Sequence, residues 1–171
     1  MAVANSPNLK DVISATAYDN QGRESLKYEP FESTNSNGSF VAPSGQYTTM
    51  QYEASPLNRI SSVTPPLWLP TTTAYGTNAQ YEAYDMTGNG YYAPNTLHKV
   101  TVTDPDGRVS KSYTDMKGRK VFTVQVQNNA PGGHYMIYSF DDKDRVNKAF
   151  APRNDWHEWF YAPNLDFFIS I

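Results

Sequence analysis

The chain of 171 residues contains no cysteine. This absence excludes disulfides, thiolate-bound metals, iron–sulfur clusters and a cysteine nucleophile. Charged residues are also scarce, at 18% of the chain against about 25% in ordinary globular proteins. The net charge of −3 offers no long-range attraction to phosphate backbones, so nucleic acid is not an expected partner.

Long hydrophobic runs and helical patterns are missing as well. No stretch approaches the ~18 apolar residues that a membrane-spanning helix needs, so membrane insertion is not expected. Residues 1–10 have neither the basic nor the apolar region of an export signal. No window free of proline and glycine shows a regular helical apolar face. Only residues 154–161 favour a turn of helix, which Asn154 or Asp155 would cap.

The motifs of common catalytic and metal sites are absent too. There is no Gly-x-Ser-x-Gly, P-loop or dinucleotide-binding motif. The histidines His98, His134 and His157 are too far apart in sequence to form a zinc-binding pair. Residues 104–107 begin like a calcium loop, but its twelfth position is Asp115 instead of glutamate. We therefore expect no metal, no cofactor and no catalysis, with a glycosidase-like carboxylate pair as the enzymatic alternative.

Tyrosine, in contrast, is abundant, with 13 residues. Short segments rich in β-branched and aromatic residues alternate polar and apolar positions, which is typical of strands. Such segments predict strands at residues 12–18, 23–28, 47–53, 59–63, 80–84, 98–103, 109–114, 120–127, 135–140 and 145–150. Segments rich in Ser, Asn, Gly and Pro predict loops at 32–45, 65–73 and 128–133. The predicted fold is all-β, with antiparallel hairpins in one domain over residues 1–171.

A five-residue motif, Asp-x-x-Gly-Arg, recurs between these strands. It occurs at 19–23, 104–108 and 115–119, and residues 85–89 form a copy that ends in asparagine. Two variants, at 55–59 and 141–145, carry Asn58 and Asp144 in place of glycine. Each copy predicts a type I turn that is capped by Asp or Ser and followed by a residue with positive φ. The motif residues are Tyr18, Asp19, Gly22, Arg23, Ser55, Asn58, Arg59, Asp85, Gly88, Asp104, Gly107, Arg108, Asp115, Gly118, Arg119, Asp141, Asp144 and Arg145.

The motif at 18–23, Tyr-Asp-x-x-Gly-Arg, resembles the tyrosine–aspartate repeat of the Rhs proteins, teneurins and the shell subunits of insecticidal toxin complexes. The resemblance covers about residues 12–152 and leaves a tail at 153–171. The phrases at 55–59, 91–97 and 102–104 are similar to the segment before the repeat array in large Rhs-like proteins of Bacteroidetes. The resemblance implies hairpins of a partial β-shell or stacked sheet. It also implies a secreted or cell-surface location, as part of a larger bacterial protein.

Two functions from different classes follow. The first is a structural scaffold whose hairpin edges pair with neighbouring Rhs-type repeats or with a second copy of the chain. The second is a binding module that recognises a glycan or a surface receptor through exposed Tyr and Trp side chains. Trp68, between Pro66 and Pro70, is the expected contact aromatic if it is exposed.

Overall fold

The computed structural model describes residues 2–3, 10–33, 41–85, 90–126 and 133–150. In this part of the chain there is no helix, and the strands of the hairpins pair antiparallel. The predicted all-β antiparallel fold is therefore confirmed. The predicted turn of helix at 154–161 and the repeat position Gly88 lie outside the described residues.

The chain divides into two compact units, Met1–Thr72 and Thr73–Ile171. The first unit contains β1 (Ala2–Val3), β2 (Val12–Ile13), β3 (Thr16–Tyr18), β4 (Glu24–Tyr28), β5 (Phe31–Glu32), β6 (Tyr47–Tyr52) and β7 (Ile60–Thr64). β8 (Thr71–Thr77) begins in the first unit and continues into the second. The second unit also contains β9 (Tyr84–Asp85), β10 (Gly90–Tyr91), β11 (His98–Thr103), β12 (Val109–Thr114), β13 (Lys120–Val126), β14 (Gly133–Phe140) and β15 (Val146–Phe150). A single domain over residues 1–171 stays a prediction.

In the first unit, the longer strands follow the order β3-β4-β6-β7, and β7 pairs with the first two residues of β8. A separate small sheet has the order β1-β2-β5. In the second unit the order is β8-β11-β12-β13-β14-β15, and β9 and β10 form a short ribbon in the connection between β8 and β11. Strands β11 to β15 therefore form a meander, in which each strand pairs with the next one along the chain.

The hydrophobic core described by the structure lies in the second unit. Tyr113, Phe122 and Ile137 stand opposite one another on three neighbouring strands and form a buried row across the sheet. Ala83 and Leu97, from the connection between β8 and β11, pack onto that row and are themselves buried. The connection thus covers one face of the meander, and this burial of apolar surface stabilises the unit.

Four hairpins share a bulge at the same place. The register shifts by one residue in the β3–β4, β6–β7, β12–β13 and β14–β15 pairs. In each case the extra residue is the second one after the arginine of the repeat: Ser25, Ser61, Val121 and Asn147. In the core, this extra residue allows Val121 and Phe122 to be buried together although they are adjacent in a strand. The β11–β12 hairpin has no such shift.

Three predictions of strands and loops were wrong in detail. The strand predicted at 12–18 is two strands, because β2 pairs with β5 whereas β3 pairs with β4. The loop predicted at 65–73 ends at Pro70, since β8 begins at Thr71 and its first residues alternate between half-buried and exposed. The strand predicted at 80–84 is mostly a turn in which Tyr81 has a φ of 62°, and only Tyr84 enters a strand.

Candidate functional site

The predicted hairpin tips have the expected geometry wherever the structure describes them. Gly22, Gly107 and Gly118 have φ values of 77°, 78° and 83°, and each donates its N–H to the carbonyl of the aspartate three residues earlier. Asn58 and Asp144 take the same position with φ values of 52° and 59°. These hydrogen bonds and φ values define type I turns followed by a left-handed residue. Asp85 lies in β9 opposite Gly90, and residues 86–89, where a turn is predicted, are outside the described residues.

The acidic residue of each tip binds two backbone amides. Asp115 Oδ1 accepts hydrogen bonds from the N–H groups of Lys117 and Arg119, both at 2.9 Å. Asp19, Asp104 and Asp141 make the same pair of contacts in their own tips. The hydrogen bond from the Arg23 N–H is the largest cause that holds the pKa of Asp19 below its usual range. For Asp115, burial opposes the change, but hydrogen bonds from Arg119 still lower the pKa.

The tip at 55–58 differs from the other tips in one respect. Ser55 Oγ accepts the Leu57 N–H at 3.2 Å, as expected of a turn cap. The carboxylate that binds the arginine, however, belongs to Glu53, whose two oxygens lie 2.6 and 2.8 Å from the Arg59 guanidinium. The Arg59 side chain is the main cause that lowers the pKa of Glu53 to about 2. Glu53 follows Tyr52 as Asp19 follows Tyr18, so the aromatic–acidic pair was the sequence signal for this residue.

We expect Gly118→Val to lower the free energy of unfolding by ~1–2 kcal/mol, because valine is strained at positive φ. Gly118→Asn is expected to be nearly neutral, since no atom lies within 4 Å of an added Cβ and asparagine tolerates this backbone. Gly76→Val is the matched control. Gly76 is equally open but lies in β8 without a positive φ, so its replacement by valine should cost little. Urea unfolding of the three variants tests this, and equal losses for Val and Asn at 118 would contradict the turn geometry.

Neighbouring tips are joined by an arginine. The guanidinium of Arg119 is bound to Asp115 of its own tip and donates to Asp144 of the next tip at 2.6 Å. It also lies 4.7 Å from the centre of the Phe140 ring. Arg23 repeats this arrangement: it binds Asp19, donates to Asn58 Oδ1 at 3.0 Å and lies 4.4 Å from the ring centre of Tyr52. We call each of these arrangements an arginine clamp.

The clamps explain why two repeats lack glycine. Asn58 and Asp144 occupy the left-handed position with a side-chain oxygen that glycine cannot offer, and in both cases the arginine of the preceding hairpin binds that oxygen. Lys117 adds a second cation to Asp144, at 3.1 Å. Arg108 lies at the opposite end of the meander, where no described aromatic residue or second tip contacts it, and it turns towards Asp106 at 3.8 Å.

A buried asparagine, which the sequence analysis missed, holds the connection between β8 and β11. Asn78 Oδ1 accepts the N–H groups of Thr96 and Leu97 at 3.0 and 2.8 Å, and its Nδ2 donates to the Ala93 carbonyl at 2.8 Å. Its backbone N–H and carbonyl bond to Leu97 and Asn95. Asn78 therefore closes the segment 78–97, which carries the core residue Leu97.

A second polar group missed by the sequence analysis is Glu82. Its carboxylate lies 3.1 Å from Lys99 Nζ and 3.2 Å from Lys111 Nζ, and it accepts the Ala79 N–H at 2.8 Å. Burial by itself would raise the pKa of Glu82, but these donors outweigh it and lower the pKa to about 2. Burial also raises the pKa of Tyr113, which lies beside this carboxylate. In this cluster the two lysines and the Ala79 N–H keep the Glu82 carboxylate ionised.

The connection between β7 and β8 exposes three consecutive large apolar side chains: Leu67 at 89%, Trp68 at 71% and Leu69 at 66% of their full accessible areas. We call these residues the apolar tip. The Trp68 N–H donates to the Pro65 carbonyl at 3.3 Å and closes the turn. Leu67 has a φ of 62°, a backbone conformation that costs a leucine roughly 1–2 kcal/mol. No charged residue occurs from Ile60 to Tyr81.

Among the described residues, no three His, Asp or Glu side chains are grouped as metal ligands. The same residues include no helix that is long and apolar enough to cross a membrane.

The comparison with protein families gives one match. Residues 1–81 match the model of a family described as a domain of unknown function, DUF6443. The matched segment includes the tips at 19–22 and 55–58, the first arginine clamp and the apolar tip. No curated protein is similar enough to the chain to be matched. The description assigns no activity, so function must be argued from the geometry.

Proposed function

We propose that this chain is a non-catalytic scaffold module of an Rhs-like bacterial protein, secreted or at the cell surface, and that it binds another protein through the apolar tip. The tyrosine–aspartate motif supports the Rhs-like assignment, as do the hairpin tips built on it. The observation that carries the binding role is the exposure of Leu67, Trp68 and Leu69 side by side. Contiguous exposed apolar surface on a soluble protein marks an interaction site.

The hydrogen bonds and lowered pKa values of the tip carboxylates support a role without catalysis. Asp19, Asp115 and Asp141 each bind two backbone amides and an arginine. Their pKa values are lowered, chiefly by the arginine contacts, with burial opposing the change at Asp115. A general acid needs a carboxyl that holds a proton near the working pH, and these groups do not meet that need.

The chemistry of the apolar tip favours an uncharged cleft on a protein over a membrane. Full burial of one Trp and two Leu side chains is worth roughly 5–8 kcal/mol before ordering costs, which suits a central contact of a protein interface. Stable attachment to a bilayer takes two signals, usually with Lys or Arg nearby. The segment from Ile60 to Tyr81 offers none of these cations.

A photo-crosslinking amino acid placed at Trp68, in cells of the producing organism, tests the proposal. We expect one protein to be cross-linked from position 68 and not from position 57. Leu57 is the matched control because it is an apolar residue exposed to 66% at another hairpin tip. The cross-linked protein is then purified and titrated with the unmodified chain.

Trp68→Ala is expected to raise the Kd of that complex by at least about tenfold. The melting temperature should not change, because the side chain contributes to binding and not to folding. Leu57→Ala should leave the Kd unchanged. Binding of neutral phosphatidylcholine vesicles or of an arrayed glycan that Trp68→Ala abolishes would overturn the protein partner. Turnover of a glycoside that Asp115→Ala abolishes without a change in melting temperature would overturn the non-catalytic role.

A further inference from the structure

The two arginine clamps share one register. In the first unit, Arg23 and Tyr52 lie three residues beyond the paired residues Leu26 and Thr49, and therefore face each other across β4 and β6. In the second unit, Arg119 and Phe140 lie three residues beyond the Phe122–Ile137 pair, across β13 and β14. In both units the clamp therefore joins the second strand of one hairpin to the first strand of the next, β4 to β6 and β13 to β14.

The two end strands of the strand order, β15 and β3, each lie beside one half of a clamp: an arginine at β15 and an aromatic ring at β3. Arg145 immediately precedes the end strand β15 and is bound to Asp141 of its own tip, as Arg23 and Arg119 are in theirs. Its side chain is 71% exposed, against 22% for Arg23 and 27% for Arg119. Among the described residues, no second tip or ring contacts it. Its guanidinium is therefore held in place by Asp141 and largely exposed.

Tyr18 presents the complementary half. It ends the strand β3, which is the other end of the strand order, and it precedes Asp19 as Tyr52 precedes Glu53. The residue is 61% exposed, and the described part of the chain places no cation over its ring. A tyrosine ring at this position is what a clamp arginine contacts in the first unit.

We propose that β15 of one copy of this chain pairs antiparallel with β3 of a second copy, and that Arg145 then forms a clamp with Tyr18 of that copy. The proposal rests on the proposed scaffold role, of which it names the partner and the register. The register of the internal clamps places Arg145 opposite Tyr18, and Val146 opposite Ala17. Because the two surfaces differ, the contact is head-to-tail and continues from copy to copy.

The intermolecular clamp would lack one component that both internal clamps have. The tip beside Tyr18 carries Gly22 in the left-handed position, where the internal clamps have Asn58 or Asp144 to bind the arginine. The association of the natural chain is therefore weak. Gly22→Asn supplies the missing oxygen without steric conflict, since no atom lies within 4 Å of an added Cβ.

Sedimentation equilibrium of the full chain over a range of concentrations tests the proposal. We expect weak self-association that Gly22→Asn strengthens by about tenfold, the effect of one hydrogen bond to a charged group. Tyr18→Ala and Arg145→Ala should each weaken it. Arg108→Ala is the matched control, because that exposed arginine immediately precedes β12, a strand inside the strand order. Association that neither Tyr18→Ala nor Arg145→Ala weakens would overturn the proposal, as would a chain that stays monomeric even with Gly22→Asn.

The absence of cysteine allows a direct test of the register. Protein with Ala17→Cys is mixed with protein carrying Val146→Cys under mild oxidation, and a disulfide between the two is the expected product. Thr16→Cys replaces Ala17→Cys in the control, because adjacent strand residues point to opposite faces. Equal yields from both mixtures would contradict the register. Trp68→Ala should change neither experiment, so the failure of this proposal and that of the apolar tip are distinguishable.

Discussion

Asn78→Ala is expected to lower the free energy of unfolding by about 3 kcal/mol, the largest effect of any single polar substitution proposed for this chain. The change removes the acceptor of the Thr96 and Leu97 N–H groups and the donor to the Ala93 carbonyl. Leu97 is almost fully buried, so its amide has no access to water in place of Asn78. A buried donor without a partner costs about 1–3 kcal/mol.

Urea unfolding measures this loss, and hydrogen exchange assigns it to the segment. In Asn78→Ala the amides of Thr96 and Leu97 should exchange faster than those in the centre of β13. Asn147→Ala is the matched control, since Asn147 is an exposed asparagine whose one described contact is a long hydrogen bond of 3.4 Å to Ser139. A loss for Asn78→Ala below about 1 kcal/mol, within the range of an ordinary exposed substitution, would contradict the role assigned to it.

Glu82→Gln is expected to lower the free energy of unfolding at neutral pH by about 2–3 kcal/mol, because Lys99 and Lys111 would keep their charges beside a neutral amide. The carboxyl of Glu82 has a pKa of about 2 in the folded protein and an ordinary value of 4.5. Its stabilising contribution is therefore complete above pH 4.5 and is lost as the pH falls towards 2.

Unfolding measured from neutral pH down to pH 2 tests this dependence. The unmodified chain should lose stability below pH 4.5, and Glu82→Gln should lose less over the same interval because one of the titrating groups is gone. Glu53→Gln should also reduce the slope, since the pKa of Glu53 is likewise about 2. Glu24→Gln, at an exposed position of β4, is the control. An unchanged pH profile in Glu82→Gln would show that the lysines do not stabilise the ionised carboxylate.

The tips were predictable because all of their interactions are local. A turn capped by Asp19 and followed by Gly22 involves five consecutive residues. The residue types at these two positions are enough to indicate the cap and the left-handed backbone. The same holds for the tips that contain Asn58 and Asp144, whose φ values are positive as expected. Trp68, between two prolines, was predicted to be a contact residue if it is exposed, and in the structure it is exposed together with Leu67 and Leu69.

The partners across the fold could not be predicted. Asn58 was identified as a turn residue, but its contact with Arg23 joins residues 35 positions apart and exists only because β4 pairs with β6. No local pattern singled out Asn78, because the partners of its side chain lie 15 to 19 residues further along the chain. Periodicity and turn-forming residues predict contacts between residues that are close in sequence. They do not indicate which distant segment will pair with a given strand.

The sequence by itself therefore determined the hairpins, their tips and the all-β class, since short-range hydrogen bonds and steric limits on φ decide these features. Tertiary structure alone decided which tips are joined by an arginine, which loop covers the core and which carboxylates are locked by cations. Those contacts form only after strands distant in sequence have paired, because charges and amides gain from one another only at hydrogen-bond distance.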